Sequence, residues 1–230
     1  MQSTPEITPD IRQRAMAVHR RLLEVFGTPQ WQNPTAPLDE LISTILSQNT
    51  NDRNRDAAFQ RLRGRFPTWE AVRDAPPEEV VEAIRSAGLA NQKGPRIQQV
   101  LRQITAERGI LDLSFLGELP IEAAREWLLK FKGVGRKTTA IVLLFSLGKP
   151  AFPVDTHIYR VTGRIGLRPP KMTVEQAHDH LAKLFPPDEY GPAHLNLIRL
   201  GREVCLARKP HCDVCPVLQW CDYGRQATRP

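Results

Sequence analysis

Apolar residues near the start of the chain recur with a helical period. Ile11, Ala15, Val18, Leu22 and Val25 fall at i, i+4, i+7, i+11 and i+14, one face of a helix that Gly27 can end. A proline-rich link, Thr28 to Pro37, follows. The same reading predicts helices at about 37–47, 53–65, 69–73, 78–87, 92–108 and 121–129. Further helices fall at about 136–147, 156–165, 174–185 and 192–206. The breaks carry glycine or proline: Phe66-Pro67, Pro76-Pro77, Gly88, Gly109, Gly117, Pro150, Pro169-Pro170 and Pro186-Pro187. No run sustains period-two alternation, so the fold class is all-α, without a sizeable sheet. There is no low-complexity tract and no repeat of fixed period.

Composition narrows this picture. A chain of 230 residues accommodates one large domain or two small ones, with a proper core. The formal charge of +7 and pI near 9.5 favour a polyanionic partner, although many basic proteins bind no nucleic acid. The stretch Met1 to Glu6 has no apolar run and does not read as a signal peptide. The longest apolar run, Ala140 to Leu147 broken only by Ser146, is too short to span a bilayer. A cytoplasmic protein with no membrane partner is therefore expected, and in that compartment thiols stay reduced.

The cysteines then become informative. Cys205, Cys212, Cys215 and Cys221 are the only four, spaced C-x6-C-x2-C-x5-C. Four thiolates in one short segment form a complete ligand set for an iron–sulfur cluster or a tetrahedral zinc. Four-cysteine zinc sites usually come as two C-x2-C pairs, and only one such pair is present here.

A second unusual segment is Gly133-Val134-Gly135-Arg136-Lys137-Thr138, between two predicted helices. Glycines permit positive φ and close approach of another molecule. Successive N–H groups in such a turn, with a helix N-terminus behind them, bind an anion such as a DNA phosphate without reading sequence. Lys132 and Arg136 add charge. An ordinary two-glycine helix connector would look the same from the glycines alone. Asp155 falls eighteen residues after Lys137, at a predicted helix start. There it can serve as an N-cap, as an acid/base group, or as both.

The segment Phe131-Lys132-Gly133-Val134-Gly135-Arg136-Lys137-Thr138 resembles the helix–hairpin–helix motif of the endonuclease III superfamily of DNA glycosylases. Phe152 to Arg160 and the cysteine spacing are similar to that family too, in the same order. Leu46-Ser47-Gln48-Asn49-Thr50-Asn51-Asp52 looks like its DNA-inserting loop, and Gly88-Leu89-Ala90-Asn91-Gln92-Lys93 like its second wedge. The resemblance implies a helix–hairpin–helix glycosylase fold: a six-helix barrel at 30–149, with 1–29 and 150–230 forming the cluster domain. It implies a [4Fe–4S] cluster on the four cysteines and a monomer acting on double-stranded DNA with a damaged base or abasic site.

The chemistry implied is excision of oxidised pyrimidines followed by strand cleavage at the abasic site. Lys137 is then the Schiff-base nucleophile and Asp155 the assisting carboxylate. A lysine amine attacks only when neutral, which burial or a cationic neighbour such as Arg136 promotes. Gln48, Asn49 and Asp52, Leu89, Lys132 to Arg136, and Arg208 with Lys209 are the implied DNA contacts. His157 is given no catalytic role. Three departures from the family pattern stand out: Asn49 in place of a common glutamine, Ala90 in place of an aromatic, and Phe131-Lys132 in place of Leu-Pro. The last implies a looser, more basic entry to the hairpin. An adenine-type mismatch glycosylase is the nearest alternative, disfavoured by Thr44 where those enzymes place a glutamate and by the presence of Lys137. A non-catalytic helix–hairpin–helix DNA-binding protein is the alternative from another class.

Overall fold

The computed structural model describes residues 7–30 and 35–227; part of the proline-rich link lies outside the described residues. Among them there are helices and turns and no strand. The chain divides into two compact units, one of residues 34–149 and one of 1–33 with 150–230.

In the 34–149 unit the helices are α2 Pro37–Ser47, α3 Asp52–Arg65, α4 Trp69–Asp74, α5 Pro77–Ala83, α6 Ala90–Arg108, α7 Ile121–Leu129 and α8 Arg136–Ile141. In the other unit they are α1 Pro9–Phe26, α9 Thr156–Ile165, α10 Val174–Ala182, α11 Tyr190–Glu203 and α12 Asp222–Ala227. Local chemistry sets many of the starts. Pro9, Pro37 and Pro77 open α1, α2 and α5, where a missing N–H costs nothing. Asn51, Thr68 and Asp155 cap α3, α4 and α9 through their side-chain oxygens. Thr173 and Gln176 form a reciprocal capping box on α10.

Helix α2 buries Leu38, Leu41, Ile42, Thr44, Ile45 and Leu46, so it is apolar around most of its circumference. Such a helix belongs inside a bundle. Helices α3, α6 and α8 pack against it. In the other unit α11 packs on both α1 and α9, burying Val18 and Leu22, Ile158 and Val161, and Leu197 and Leu200.

Several expected helices are shorter or split. The stretch expected at 78–87 is α5 followed by a one-turn 3-10 segment, Arg85–Ala87. The one expected at 136–147 is α8 followed by a π turn, Val142–Ser146. Helix α10 stops at Ala182 rather than Phe185, because Lys183 and Leu184 tighten into i→i+3 bonds ahead of Pro186. Helix α11 starts earlier than expected, since Pro192 lies in its first turn, where proline is tolerated. Helix α6 begins at Ala90 and runs through Pro95. Val25, expected on the buried face of α1, is 45% exposed, because it sits in the last turn beyond the packed stretch.

Candidate nucleic-acid interface and metal centre

The hairpin between α7 and α8 is a tight turn in which the Val134 N–H donates to the Phe131 carbonyl at 3.0 Å. Gly133 has φ 82°, and a Cβ built on it would lie 2.5 Å from the Arg96 side chain, so only glycine fits. Gly135 differs from expectation. Its φ of −98° and ψ of −179° suit any residue. Nothing lies within 4 Å of where its Cβ would be, so neither backbone nor packing in the chain itself demands glycine there. No side chain caps α8 at Gly135. Lys132, Gly133 and Gly135 are exposed, while Arg136 and Lys137 are half-buried. Val134, an expected DNA contact, is only 5% exposed, so its side chain belongs to the core and a contact there would fall to its backbone. The expected loose entry is also corrected. Phe131 is buried and stands edge-on to Trp127 at 4.8 Å, and Trp127 stands edge-on to Phe115 at 5.1 Å.

Two more turns of the same unit carry the expected inserting residues. Asn49 and Leu89 both have φ 52°, in the left-handed region. For a leucine that conformation is an outlier that the surroundings must enforce. Leu89 is nonetheless 46% exposed, so it is not the core leucine its type would suggest. It lines an open cavity of about 310 Å³ with Val81, Arg85, Ala90, Asn91 and Gln92. Gln48 donates to the Gly133 carbonyl at 3.0 Å and accepts from Arg96 at 3.2 Å, which ties the Asn49 turn to the hairpin. Asp52 pairs with Arg55 at 3.3 Å on the first turn of α3. Thr44 is buried, its hydroxyl donating to Glu40 at 3.4 Å.

Asp155 belongs to the other unit. Its Oδ1 accepts from the Ile158 N–H at 2.7 Å, so it is the N-cap of α9 and half-buried. The strand of chain leading to it is pinned. The Nδ1 groups of His178 and His194 reach the carbonyls of Phe152 and Pro153, each at 3.0 Å. Phe152 stacks on Phe185 with ring centroids 5.3 Å apart. His157 meets Arg160 at 3.1 Å through Nδ1.

Cys205 follows α11, Cys212 and Cys215 bracket a 3-10 turn, and Cys221 precedes α12. The loop they define hangs on two arginines one turn apart on α9. Arg160 donates to the carbonyls of Cys205 at 3.0 Å and Gly201 at 2.8 Å. Arg164 donates to the carbonyls of Leu206 at 2.6 Å and Ala207 at 3.0 Å, and to the Cys205 sulfur at 3.4 Å. The Gly224 N–H donates to the Cys221 sulfur at 3.3 Å. Burial pushes the Cys215 thiol up to about 11, with Cys221, Cys205 and Cys212 adding to the rise. Cys212 and Cys221 are raised too, burial again first. The four sulfurs therefore feel one another in a half-dry place where thiolates need positive charge. A cationic metal centre would supply it, and the N–H and guanidinium donors suit ligated thiolates. Arg208 and Lys209 are exposed between the first two cysteines, and Lys209 has φ 51°.

Comparison with known proteins decides the family. Residues 42–187, more than half of the chain, match the HhH-GPD superfamily of base excision DNA repair proteins. Residues 205–221 match the iron–sulfur binding domain of endonuclease III. The chain is 35% identical to endonuclease III of Thermotoga maritima over 86% of its own length and 88% of that protein. The chain belongs to the endonuclease III family. It is 32% identical to endonuclease III of Sulfolobus acidocaldarius over 80% of each chain. The fold superimposes on a trapped endonuclease III–DNA covalent intermediate with a TM-score of 0.82 and 29% identity, covering 97% of this chain and 100% of that one. It is thus a DNA repair enzyme of the glycosylase and AP lyase class with an iron–sulfur cluster, and its four cysteines fall within the matched iron–sulfur binding segment.

Within this endonuclease III fold, several supporting residues had no distinct sequence signal. Arg96 fills the space beside Gly133 from the middle of α6. Lys93 is buried although it reads as a surface lysine. Arg160 and Arg164 were discoverable in principle, since their i, i+4 spacing puts both on one face of α9. No helix among the described residues is long and apolar enough to cross a membrane.

Proposed function

We propose that the enzyme is a bifunctional glycosylase that excises oxidised pyrimidines from double-stranded DNA and then nicks the abasic site, acting as a monomer. The observation that carries this reading is Lys137 on the second residue of α8, half-buried directly behind the Gly133–Gly135 hairpin. A hairpin with an uncapped helix behind it suits a DNA phosphate, and an amine one residue into that helix suits the neighbouring sugar.

In the proposed reaction the neutral Lys137 amine attacks C1′ of the damaged nucleotide. The C1′–N bond breaks and the base leaves with the electron pair, taking up a proton. Loss of the amine proton and ring opening give a Schiff base. Removal of a C2′ proton then breaks the C3′–O bond and releases the 3′ phosphate. Water returns the lysine. Asp155 is the carboxylate proposed to take a proton and to favour positive charge developing on the sugar. Asn49 and Leu89 are proposed to enter the helix where the target base has left the stack. Lys132, Gly133, Gly135, Arg136, Arg208 and Lys209 would hold phosphates. The likeness to a trapped covalent endonuclease III–DNA intermediate supports a reaction through a covalent enzyme–DNA bond.

The cluster is proposed to be [4Fe–4S]. Residues 205–221 match an iron–sulfur binding domain, and the single C-x2-C pair disfavours a four-cysteine zinc site, which usually has two. The cluster's part is to hold the loop that presents Arg208 and Lys209.

Two duplexes test the proposal, one with a single thymine glycol and one with a single abasic site. Release of the damaged base and a nick 3′ to the lesion are expected on the first, and a nick on the second. Binding without either product, or release of adenine from a mismatch in their place, would refute it.

A further inference from the structure

One buried ammonium has no part in the proposed mechanism. Lys93 is 1% exposed and heads the large fully buried side chains. Its ammonium donates to the Leu46 carbonyl at 2.7 Å and the Ala87 carbonyl at 2.8 Å. Among the described residues no carboxylate pairs with it. Burial pushes its pKa below the ordinary lysine value. A buried charge without a counter-ion is costly, and an apolar side chain of the same volume would be cheaper. The carbonyls it meets are the compensation, because both lie at helix C-terminal ends, which carry partial negative charge. Leu46 is in the last turn of α2, and Ala87 closes the Arg85–Ala87 turn.

Those two ends have something in common. Three residues beyond Leu46 stands Asn49, and two beyond Ala87 stands Leu89, both at φ 52°. Left-handed non-glycine residues persist only where surrounding structure over-determines them. Among the described residues, the Lys93 ammonium is the single side-chain group bonded to the chain just upstream of both. The N–H of Lys93 also donates to the Leu89 carbonyl at 2.9 Å, so the lysine holds that turn by backbone and side chain alike. Gln48, between Leu46 and Asn49, carries the connection on to the Gly133 carbonyl.

We propose that Lys93 is a positioning residue for base extrusion, clamping the Asn49 and Leu89 turns in one fixed spacing so that both enter the gap in the DNA together. This rests on the reading of Asn49 and Leu89 as DNA-inserting residues.

The test is a double-mutant cycle on the full-length, cluster-containing protein. Single-turnover excision of thymine glycol and nicking of a preformed abasic site are measured for wild type, Lys93→Met, Leu89→Ala and the pair. Lys93→Met is expected to lower excision about tenfold or more, with abasic nicking within about threefold. In the Lys93→Met background, Leu89→Ala should cost less than about threefold further, because a displaced wedge has little left to lose. Lys93→Gln, which can still donate to a carbonyl, should recover part of the excision rate. If Lys93→Met does not fold, Lys93→Gln takes its place in the cycle, with the same substrate split and the same shortfall from additivity expected. Equal losses on both substrates, or a full additive loss from Leu89→Ala in either lysine variant, would overturn the clamp. If Leu89→Ala with Lys93 intact lowers both activities equally, the wedge reading itself fails and the clamp falls with it.

Discussion

Replacing Leu89 separates what this residue does for the fold from what it does on DNA. Its φ of 52° and ψ of 30° place a bulky side chain in the left-handed region. That conformation costs roughly 1–2 kcal/mol for a residue with a Cβ. Burying a whole leucine is worth about 1.5–3 kcal/mol, and Leu89 is 46% exposed, so its packing contributes about 1 kcal/mol. Leu89→Ala keeps the strain and loses the packing. The expected fall in Tm is about 2–4 °C. Leu89→Gly loses the same packing but relieves the strain, offset by about 0.5–1 kcal/mol of extra freedom in the unfolded chain. Its Tm should lie within a few degrees of wild type and at or above that of the alanine variant. On DNA the order is different. Both variants lack the wedge, and both should excise thymine glycol about tenfold or more slowly, equivalent to about 1.4 kcal/mol. Nicking of a site already abasic should change much less, because no base has to leave the stack. The assay is single-turnover kinetics on the two duplexes beside thermal melting. A glycine variant with wild-type excision, or losses equal on both substrates, would refute the reasoning.

The remaining expectations concern Asp155, the cluster and acid stability. Asp155→Asn keeps the helix cap, since asparagine caps as well as aspartate, but removes the charge; excision should slow by about two to four powers of ten with Tm nearly unchanged. Asp155→Ala should also lose about 1 kcal/mol of stability, and a near-normal rate in the Asn variant would leave Asp155 a cap alone. Elemental analysis should give about four iron atoms per chain with broad absorption near 400 nm, and Cys212→Ser should lose iron; stoichiometric zinc without iron would contradict the cluster. His180 is buried, and burial pushes its pKa down; the Leu167 carbonyl opposes this, and Lys183 and Arg168 assist it. Its folded pKa lies below the unfolded value of about 6.5, so its contribution is complete above about pH 6.5 and is lost as pH falls through the folded value. Tm should therefore drop less between pH 7 and pH 5 in His180→Gln than in wild type, and equal drops would contradict this.

The sequence was most legible where chemistry is local. Glycine and proline marked nearly every helix end, and Pro37, Asn51, Thr68 and Asp155 start helices for reasons visible in a few residues. The four cysteines and the glycine hairpin were legible for the same reason. What could not be read depends on contacts far along the chain. Nothing in Lys93 announces a buried ammonium, because its partners lie 47 and 6 residues away. Arg96 earns its place beside Gly133 only once α6 packs near the hairpin. The left-handed turns at Asn49 and Lys209 had no glycine to mark them, and Gly88 marked a break before Leu89 but not the left-handed backbone of Leu89 itself. The burial of the Val134 side chain was not legible either, because its motif neighbours are exposed.

The central claim is that Lys137 forms the bond to DNA. The most direct measurement is borohydride reduction of the enzyme with a duplex holding one abasic site, followed by mass spectrometry of the crosslinked peptide. One covalent adduct is expected, mapped to Lys137, and Lys137→Gln should form none while still binding the duplex. An adduct on another residue, or undiminished trapping in Lys137→Gln, would contradict the account.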